Sequence, residues 1–217
     1  MNFKAIFFDL DGTLLNTLPD LHAACNYALK KNGFKEVTIK KVQESIGDGI
    51  RKLNERLLPQ GSSDELIDKV MNDFSNYYIE HVDVYTIPYE GIIEVLTKLK
   101  EKGYIIVIVS NKFYAGVQKL NDKFFTGLVD LALGPNETLK TKPDLSMINY
   151  ALEYFNLTKE EVLYVGDSNV DVVTAIKSGF EMLTVTYGYK SKEELIKLGY
   201  ELKFIDKPVE ILKYIGE

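Results

Sequence analysis

A single cysteine, Cys25, stands in the 217 residues, which excludes an internal disulfide framework and suits a reducing compartment. Its surroundings read as a helix, so the thiol is expected to fill a small core position rather than attack a substrate. Long apolar runs are also missing. The longest aliphatic stretch is YIIVIV at residues 104–109, far short of the ~20 residues a membrane span needs. Near the N-terminus, Asp9 and Asp11 interrupt any signal-peptide core, and a cytoplasmic location is expected. No Lys/Arg-rich block occurs, and 26 basic against 32 acidic residues leave a formal net charge of -6. Neither a nucleic-acid nor a membrane partner is expected on that balance, although a local cationic pocket could still receive a small anionic substrate. Repeats and low-complexity tracts are absent. The two histidines, His22 and His81, lie in helical contexts and read as surface or packing residues.

What is present is enough apolar material for a real core, 46% of the chain, arranged in short solid runs. Residues 3–10, 104–110, 128–133, 162–166 and 182–187 are continuously apolar rather than alternating, as in strands covered on both faces. Between them lie helical patterns at 90–102, 112–123, 144–155 and 169–177, the first ending at Gly103 and the last at Gly179. This β–α–β–α rhythm predicts a Rossmann-like open parallel α/β sheet with helices on both faces. One interval breaks it. Residues 17–82 contain no strand pattern; helices are expected at 19–31, 41–46 and 48–58. A capping box at Ser62–Glu65 then opens an apolar stripe of Leu66, Ile67, Val70, Met71, Phe74, Tyr77 and Tyr78. An all-helical domain, 17–82, is thus expected as an insertion into an α/β core formed by 1–16 and 83–217.

Ligands bind open parallel sheets off the carboxyl ends of the strands, so the residues after each strand test the reading. The first strand runs into Asp9-Leu10-Asp11-Gly12-Thr13, the second into Ser110-Asn111-Lys112, and the fourth into Gly166-Asp167 with Asp171 a turn further on. Lys142-Pro143 occupies a loop ahead of a helix. Two carboxylates a residue apart at the end of an apolar strand are costly as a purely structural device. The collected groups suit a phosphate ester, whose oxygens repel nucleophiles. A carboxylate can attack phosphorus, a second acid can move protons, and a hydroxyl and an ammonium can hold the phosphoryl oxygens. Mg²⁺ takes few carboxylates plus water and substrate oxygens, which suits Asp9 and Asp167.

In these four motifs the sequence resembles the haloacid dehalogenase superfamily of phosphatases, and the helical insertion is similar to that family's mobile cap. The resemblance implies Asp9 as nucleophile and Mg²⁺ ligand, and Asp11 as general acid/base that lends its backbone carbonyl to the metal. Gly12 and Thr13 would shape the loop, and Ser110 and Asn111 would hold the phosphate. Lys142 would bridge phosphate and nucleophile; Asp167, with Asp171 beside it, would complete the metal site. Hinges would fall near 16–17 and 82–87.

Further stretches resemble phosphoglycolate phosphatases: LPDL at 18–21, NYAL at 26–29, IGDGIRKL at 46–53, SNK at 110–112 and VTYGY at 185–189. They add Lys112, Gly47, Gly49 and Arg51 to the expected substrate contacts. The glycines would let the cap backbone approach a small substrate, and Arg51 or Lys52 would attract a substrate carboxylate. Asn16 and Leu145 depart from the family's usual aspartate and proline. The expected reaction is Mg²⁺-dependent hydrolysis of a small phosphorylated metabolite, 2-phosphoglycolate first, by a monomer or homodimer. A pyrophosphatase or 5′-nucleotidase-type reaction remains the alternative, and a β-phosphoglucomutase-like reaction stands behind that. A phosphorylatable receiver domain would lack the paired acids and the inserted cap.

Overall fold

The computed structural model describes residues 3–216; Met1, Asn2 and Glu217, at the ends of the expected core domain, lie outside the described residues. Its centre is a six-stranded, wholly parallel sheet. The strands are β1 (Ala5–Phe8), β4 (Ile105–Val109), β5 (Leu131–Leu133), β6 (Val162–Gly166), β7 (Glu181–Val185) and β8 (Lys203–Ile205). They lie in the order β5-β4-β1-β6-β7-β8. The chain moves outward from β1 to one side, then crosses back to the other, so the strand order reverses at the boundary between β1 and β6. In an open sheet that boundary is where a crevice forms.

Strand composition explains the layering. Ile6, Phe8, Ile106, Ile108, Leu163 and Val165 point to one face, where α5 (Ile92–Glu101), α6 (Tyr114–Phe124) and α10 (Glu210–Tyr214) bury Leu96, Leu120 and Ile211. Their alternate neighbours Ala5, Phe7, Val107, Val109, Val162 and Tyr164 point to the other face, against Met147, Ile148 and Ala151 of α7 (Ser146–Phe155) and against Phe180. A strand covered on both sides has no solvent face to mark with polar residues, hence the solid apolar runs. Burying one such Phe or Ile stabilises the fold by roughly 1.5–3 kcal/mol.

Four helices, α1 (Leu18–Lys31), α2 (Ile39–Ser45), α3 (Ile50–Leu57) and α4 (Asp64–His81), fill the interval after β1. Their apolar stripes meet each other: Leu21, Ala24, Cys25 and Ala28 of α1 are buried with Ile67, Val70, Phe74 and Tyr78 of α4. Cys25 is a buried packing residue whose thiol pKa burial pushes up. His22 contacts the Val37 carbonyl at 2.9 Å, and His81 contacts the Tyr77 carbonyl at 2.8 Å. At the junctions, β2 (Leu15–Asn16) and β3 (Ile87–Pro88) pair antiparallel, so both crossings run side by side. Asp20 fastens them, accepting hydrogen bonds from the Tyr85 and Thr86 backbone N–H groups and from the Thr86 hydroxyl at 2.8–3.0 Å.

Several local expectations shift. Residues 128–130 are not strand, because the Leu128 and Val129 N–H groups turn back to the Phe125 carbonyl. The cap of α4 is Ser63, not Ser62: its side chain accepts from the Leu66 N–H, while the Ser62 hydroxyl donates to the Pro59 carbonyl. After β7 the structure adds α9 (Lys192–Ile196), β8 and α10. β8 is a three-residue edge strand containing a lysine and carries too little periodicity to stand out.

Candidate active site

The predicted stations meet at the carboxyl end of β1, β4 and β6. Asp9 still belongs to the sheet: its N–H donates to the Val165 carbonyl at 2.9 Å. Beyond it the chain turns sharply, with the Leu10 carbonyl accepting from the N–H groups of Thr13, Leu14 and Leu15 and the Gly12 N–H donating to Leu15. Gly12 has φ +88°, and a Cβ there would lie 2.4 Å from an oxygen of Asp167. Both the turn and the approach of a carboxylate therefore require glycine. Gly188 serves the other flank, where a Cβ would come within 2.3 Å of the Asp167 Cβ.

Lys142 is the hub. Its Nζ donates to Asp9 Oδ1 at 2.8 Å, Asp171 Oδ1 at 2.7 Å and the Tyr164 hydroxyl at 3.0 Å. Burial opposes its charge, but Asp171 and Asp9 outweigh that and hold its pKa well above the ordinary lysine value. Asp9 is pushed up to about 7, first by burial and then by the Asp171 charge, against the pull of Lys142. Asp167 is raised well above the usual carboxylate range, again by burial and by Asp171 and Asp9. Its only hydrogen-bond donors among the described residues are the Thr13 hydroxyl at 3.2 Å and the Tyr189 N–H at 2.7 Å.

Asp9, Asp167 and Asp171 bring carboxylate oxygens within 4.8 Å of one another. The raised proton affinities of Asp9 and Asp167 mark carboxylate charge that nearby cations do not neutralise: with Asp11 and Asp171, four carboxylates gather about the ammonium groups of Lys142 and Lys112. All-oxygen donors with carboxylate charge in excess fit a hard divalent cation. The three acids are not equivalent. Asp171 already accepts four hydrogen bonds, from Lys142, from the Tyr164 hydroxyl at 2.9 Å, and from the Ser168 N–H and hydroxyl at 3.0 and 2.5 Å. Asp9 and Asp167 therefore offer the open oxygens, and Asp171 orients Lys142 while closing the capping box that starts α8 (Asn169–Ser178). The Asp11 carboxylate lies outside this cluster. It accepts from the Thr17 hydroxyl at 2.5 Å and pairs with Lys112 Nζ at 3.0 Å.

The remaining sequence-derived residues separate. Ser110, Asn111 and Lys112 line the cleft, as do Gly47 and Gly49 from the helical insertion. The Asn111 side chain has a different task from the expected phosphate contact. It donates to the carbonyls of Gly47 at 2.9 Å and Lys142 at 3.0 Å and accepts from the Lys142 N–H at 2.6 Å, bracing both sides of the cleft. Arg51 is not brought to the site. α3 turns it outward, where it pairs with Asp64 at 2.7 Å and with Asp68 on α4. Lys52 likewise faces Glu55 at 2.8 Å. The cap side of the cleft is instead Leu21, Ile46, Ile50, Leu53 and Tyr78, above a cavity of about 60 Å³.

Four contributors escaped sequence reasoning: Thr17, Tyr78, Tyr164 and Tyr189. Tyr189 bridges three parts of the site. Its hydroxyl accepts from the Thr17 N–H at 2.8 Å, its N–H holds Asp167, and its carbonyl accepts from Gln43 of α2 at 2.8 Å. Tyr164 and Tyr78 sit inside apolar patterns where a tyrosine and a phenylalanine look alike; the only signal was a hydroxyl in a position with no exposure.

Residues 6–185 match the haloacid dehalogenase-like hydrolase family model, and the chain belongs to that family. Among its curated relatives, the phosphoglycolate phosphatase of Neisseria gonorrhoeae is 35% identical over 86% of this chain and 81% of its own length. The phosphoglycolate phosphatase of Aquifex aeolicus is 32% identical over 86% of each. A solved structure of a candidate phosphoglycolate phosphatase from Lactobacillus delbrueckii subsp. bulgaricus superposes over 100% of both chains with a TM-score of 0.93 at 28% identity. The chain is an enzyme, a phosphatase of this family.

Proposed function

We propose that the enzyme hydrolyses a small phosphate monoester, 2-phosphoglycolate foremost, through an aspartyl-phosphate on Asp9 with Mg²⁺ as cofactor. The observation that carries this reading is the Lys142 ammonium bonded to both Asp9 and Asp171 at the sheet edge, with a second acid, Asp11, two residues beyond the nucleophile and outside the carboxylate cluster. That arrangement supports a reading in which Asp9 attacks and Asp11 handles protons.

In the first half-reaction an Asp9 carboxylate oxygen attacks phosphorus, the ester P–O bond breaks, and the departing alkoxide takes a proton from the Asp11 carboxyl. In the second, water attacks the phosphoryl group, its proton passes to the Asp11 carboxylate, and the Asp9–phosphorus bond breaks. Lys142 holds Asp9 in place and keeps positive charge beside it as phosphoryl oxygens arrive. The buried Ser110 hydroxyl donates to one of them. Mg²⁺, held by Asp9 and Asp167 with the Asp11 backbone carbonyl, would neutralise phosphoryl charge and keep Asp9 ionised.

Support for the substrate comes from the relatives' names and from Lys112, a buried ammonium that lines the cleft beside Lys142, with the half-buried Lys190 at its edge. The helical insertion, 17–82, acts in this reading as a cap that closes over the site and excludes water from the acyl phosphate. A kinetic screen with Mg²⁺ across 2-phosphoglycolate, other phosphate monoesters, pyrophosphate and nucleotides tests it. 2-Phosphoglycolate should lead by kcat/KM, EDTA should stop turnover, and Mg²⁺ should restore it. A flat profile, or pyrophosphate in the lead, overturns the substrate.

A further inference from the structure

With Arg51 and Lys52 turned away, the cap brings no cation to the cleft; it brings a phenol. Tyr78 lies on α4, is fully buried, and lines the cleft. Its ring is clamped between Phe74, stacked at 5.2 Å, and Phe113 of the core, edge-on at 6.1 Å, so the direction of the hydroxyl is fixed. Burial keeps the phenol protonated, its pKa well above the ordinary value.

The hydroxyl accepts a hydrogen bond from Lys112 Nζ at 2.7 Å. Lys112 is a core residue, 5% exposed, that also pairs with Asp11 at 3.0 Å. A phenol oxygen that accepts still has a proton to give, and among the described residues no acceptor takes it. Lys112 likewise has three donors and only two polar partners among those residues. One O–H and one N–H are thus left side by side, 2.7 Å between their heavy atoms, in a pocket otherwise roofed by aliphatic side chains.

We infer that Tyr78 and Lys112 form a two-donor fork that binds the carboxylate of a carboxylated phosphate ester, making Tyr78 the specificity-determining residue of the cap. The fork rests on the phosphatase reading above and names how its substrate's second anionic end is recognised. Two adjacent donors suit the two oxygens of one carboxylate, and a carboxylate returns acceptors to both buried donors. Because one tine is on the cap and the other on the core, the fork is complete only when the cap is seated. A carboxylated substrate therefore stabilises closure, and a phosphate ester without that group does so less.

The test compares 2-phosphoglycolate with ethyl phosphate, similar in size and lacking the carboxylate, in the Mg²⁺-loaded full-length enzyme. The quantity read is the ratio of their kcat/KM values. Tyr78→Phe, which removes one oxygen and keeps the ring, should lower that ratio on the order of 10-fold or more, chiefly by raising KM for 2-phosphoglycolate. Lys112→Gln should lower it further, and circular dichroism with thermal melting checks that both variants fold. If either folded variant loses activity on the two esters in equal proportion, or keeps the wild-type ratio, the fork is wrong while the 2-phosphoglycolate reading stands. If wild type prefers a different carboxylated ester, such as phosphoenolpyruvate or 2-phospholactate, and Tyr78→Phe erodes that preference, the fork stands and 2-phosphoglycolate falls. A wild type indifferent to the carboxylate overturns both.

Discussion

The floor and the roof of the cleft are built on opposite principles. On the floor, charged groups from four separate segments interlock: Lys142 alone joins Asp9, Asp171 and Tyr164, and Asp167 is wedged against Gly12 and Gly188. On the roof, aliphatic side chains and two glycines face the cavity, and few polar bonds tie it to the floor. Among the described residues they include Asn111 to the Gly47 carbonyl, Gln43 to the Tyr189 carbonyl, Lys112 to Tyr78, Lys119 to the Ile79 carbonyl, and, at the hinge, Thr17 to Asp11 and Tyr189. A dense network of that kind preorganises charge and admits little adjustment. A sparse seam can open. On the proposed function, chemistry belongs to the floor and selection to the roof, and changes in the two should differ in kind as well as size.

The deepest cut into the floor is Asp9→Asn. Turnover of p-nitrophenyl phosphate should fall on the order of 10⁴-fold or more, with the fold retained; wild-type hydrolysis would end the covalent mechanism. Lys142→Met strands two buried carboxylates. It should lower kcat by at least about 100-fold and cost roughly 3–5 kcal/mol of stability by denaturant titration. Gly12→Ala places a methyl against Asp167 at a positive φ. About 1–3 kcal/mol of strain is expected, together with a several-fold higher Mg²⁺ requirement, measured as the half-saturating concentration.

A smaller effect concerns pH. A carboxyl whose folded pKa lies above its unfolded value favours folding while it is protonated. For Asp9 that contribution is full below the ordinary aspartate value of 3.8 and is lost as pH rises through about 7. In EDTA, Asp9→Asn should therefore melt higher than wild type at pH 8 and level with it at pH 4. Mg²⁺ should narrow the gap at pH 8 by raising the wild-type Tm. The least effect is expected on the outer roof. Arg51→Ala should leave kcat/KM within about twofold, because its partners Asp64 and Asp68 are exposed surface acids. A large rise in KM would return Arg51 to the substrate and weaken the distinction between roof and seam.

The floor was legible in the sequence and the roof was not, for a physical reason. Asp9, Ser110 and Asp167 each follow a buried strand directly, so a strand end dictates where they emerge, and Gly12 announces a turn that only glycine accommodates. The parallel sheet could be read from its solid apolar runs, whereas β8, with a lysine in three residues at the sheet edge, could not. In the insertion, helical periodicity located the buried stripe of α4 correctly. Which cation reaches the cleft depends on a rotation about the α3 axis, and periodicity does not carry that. Arg51, expected at the substrate, points to α4, whereas Lys112, a core residue, lines the cleft.

The sequence by itself determined the parallel core of the sheet and the family, because strand burial and the short motifs at strand ends are local properties of the chain. Only the tertiary structure decided the partners. Lys142 lies 133 residues from Asp9, Tyr78 lies 34 from Lys112, and Tyr189 lies 172 from Thr17. Hydrogen bonds of that reach are set by how layers pack. No residue type announces in advance which buried hydroxyl will stand beside which ammonium.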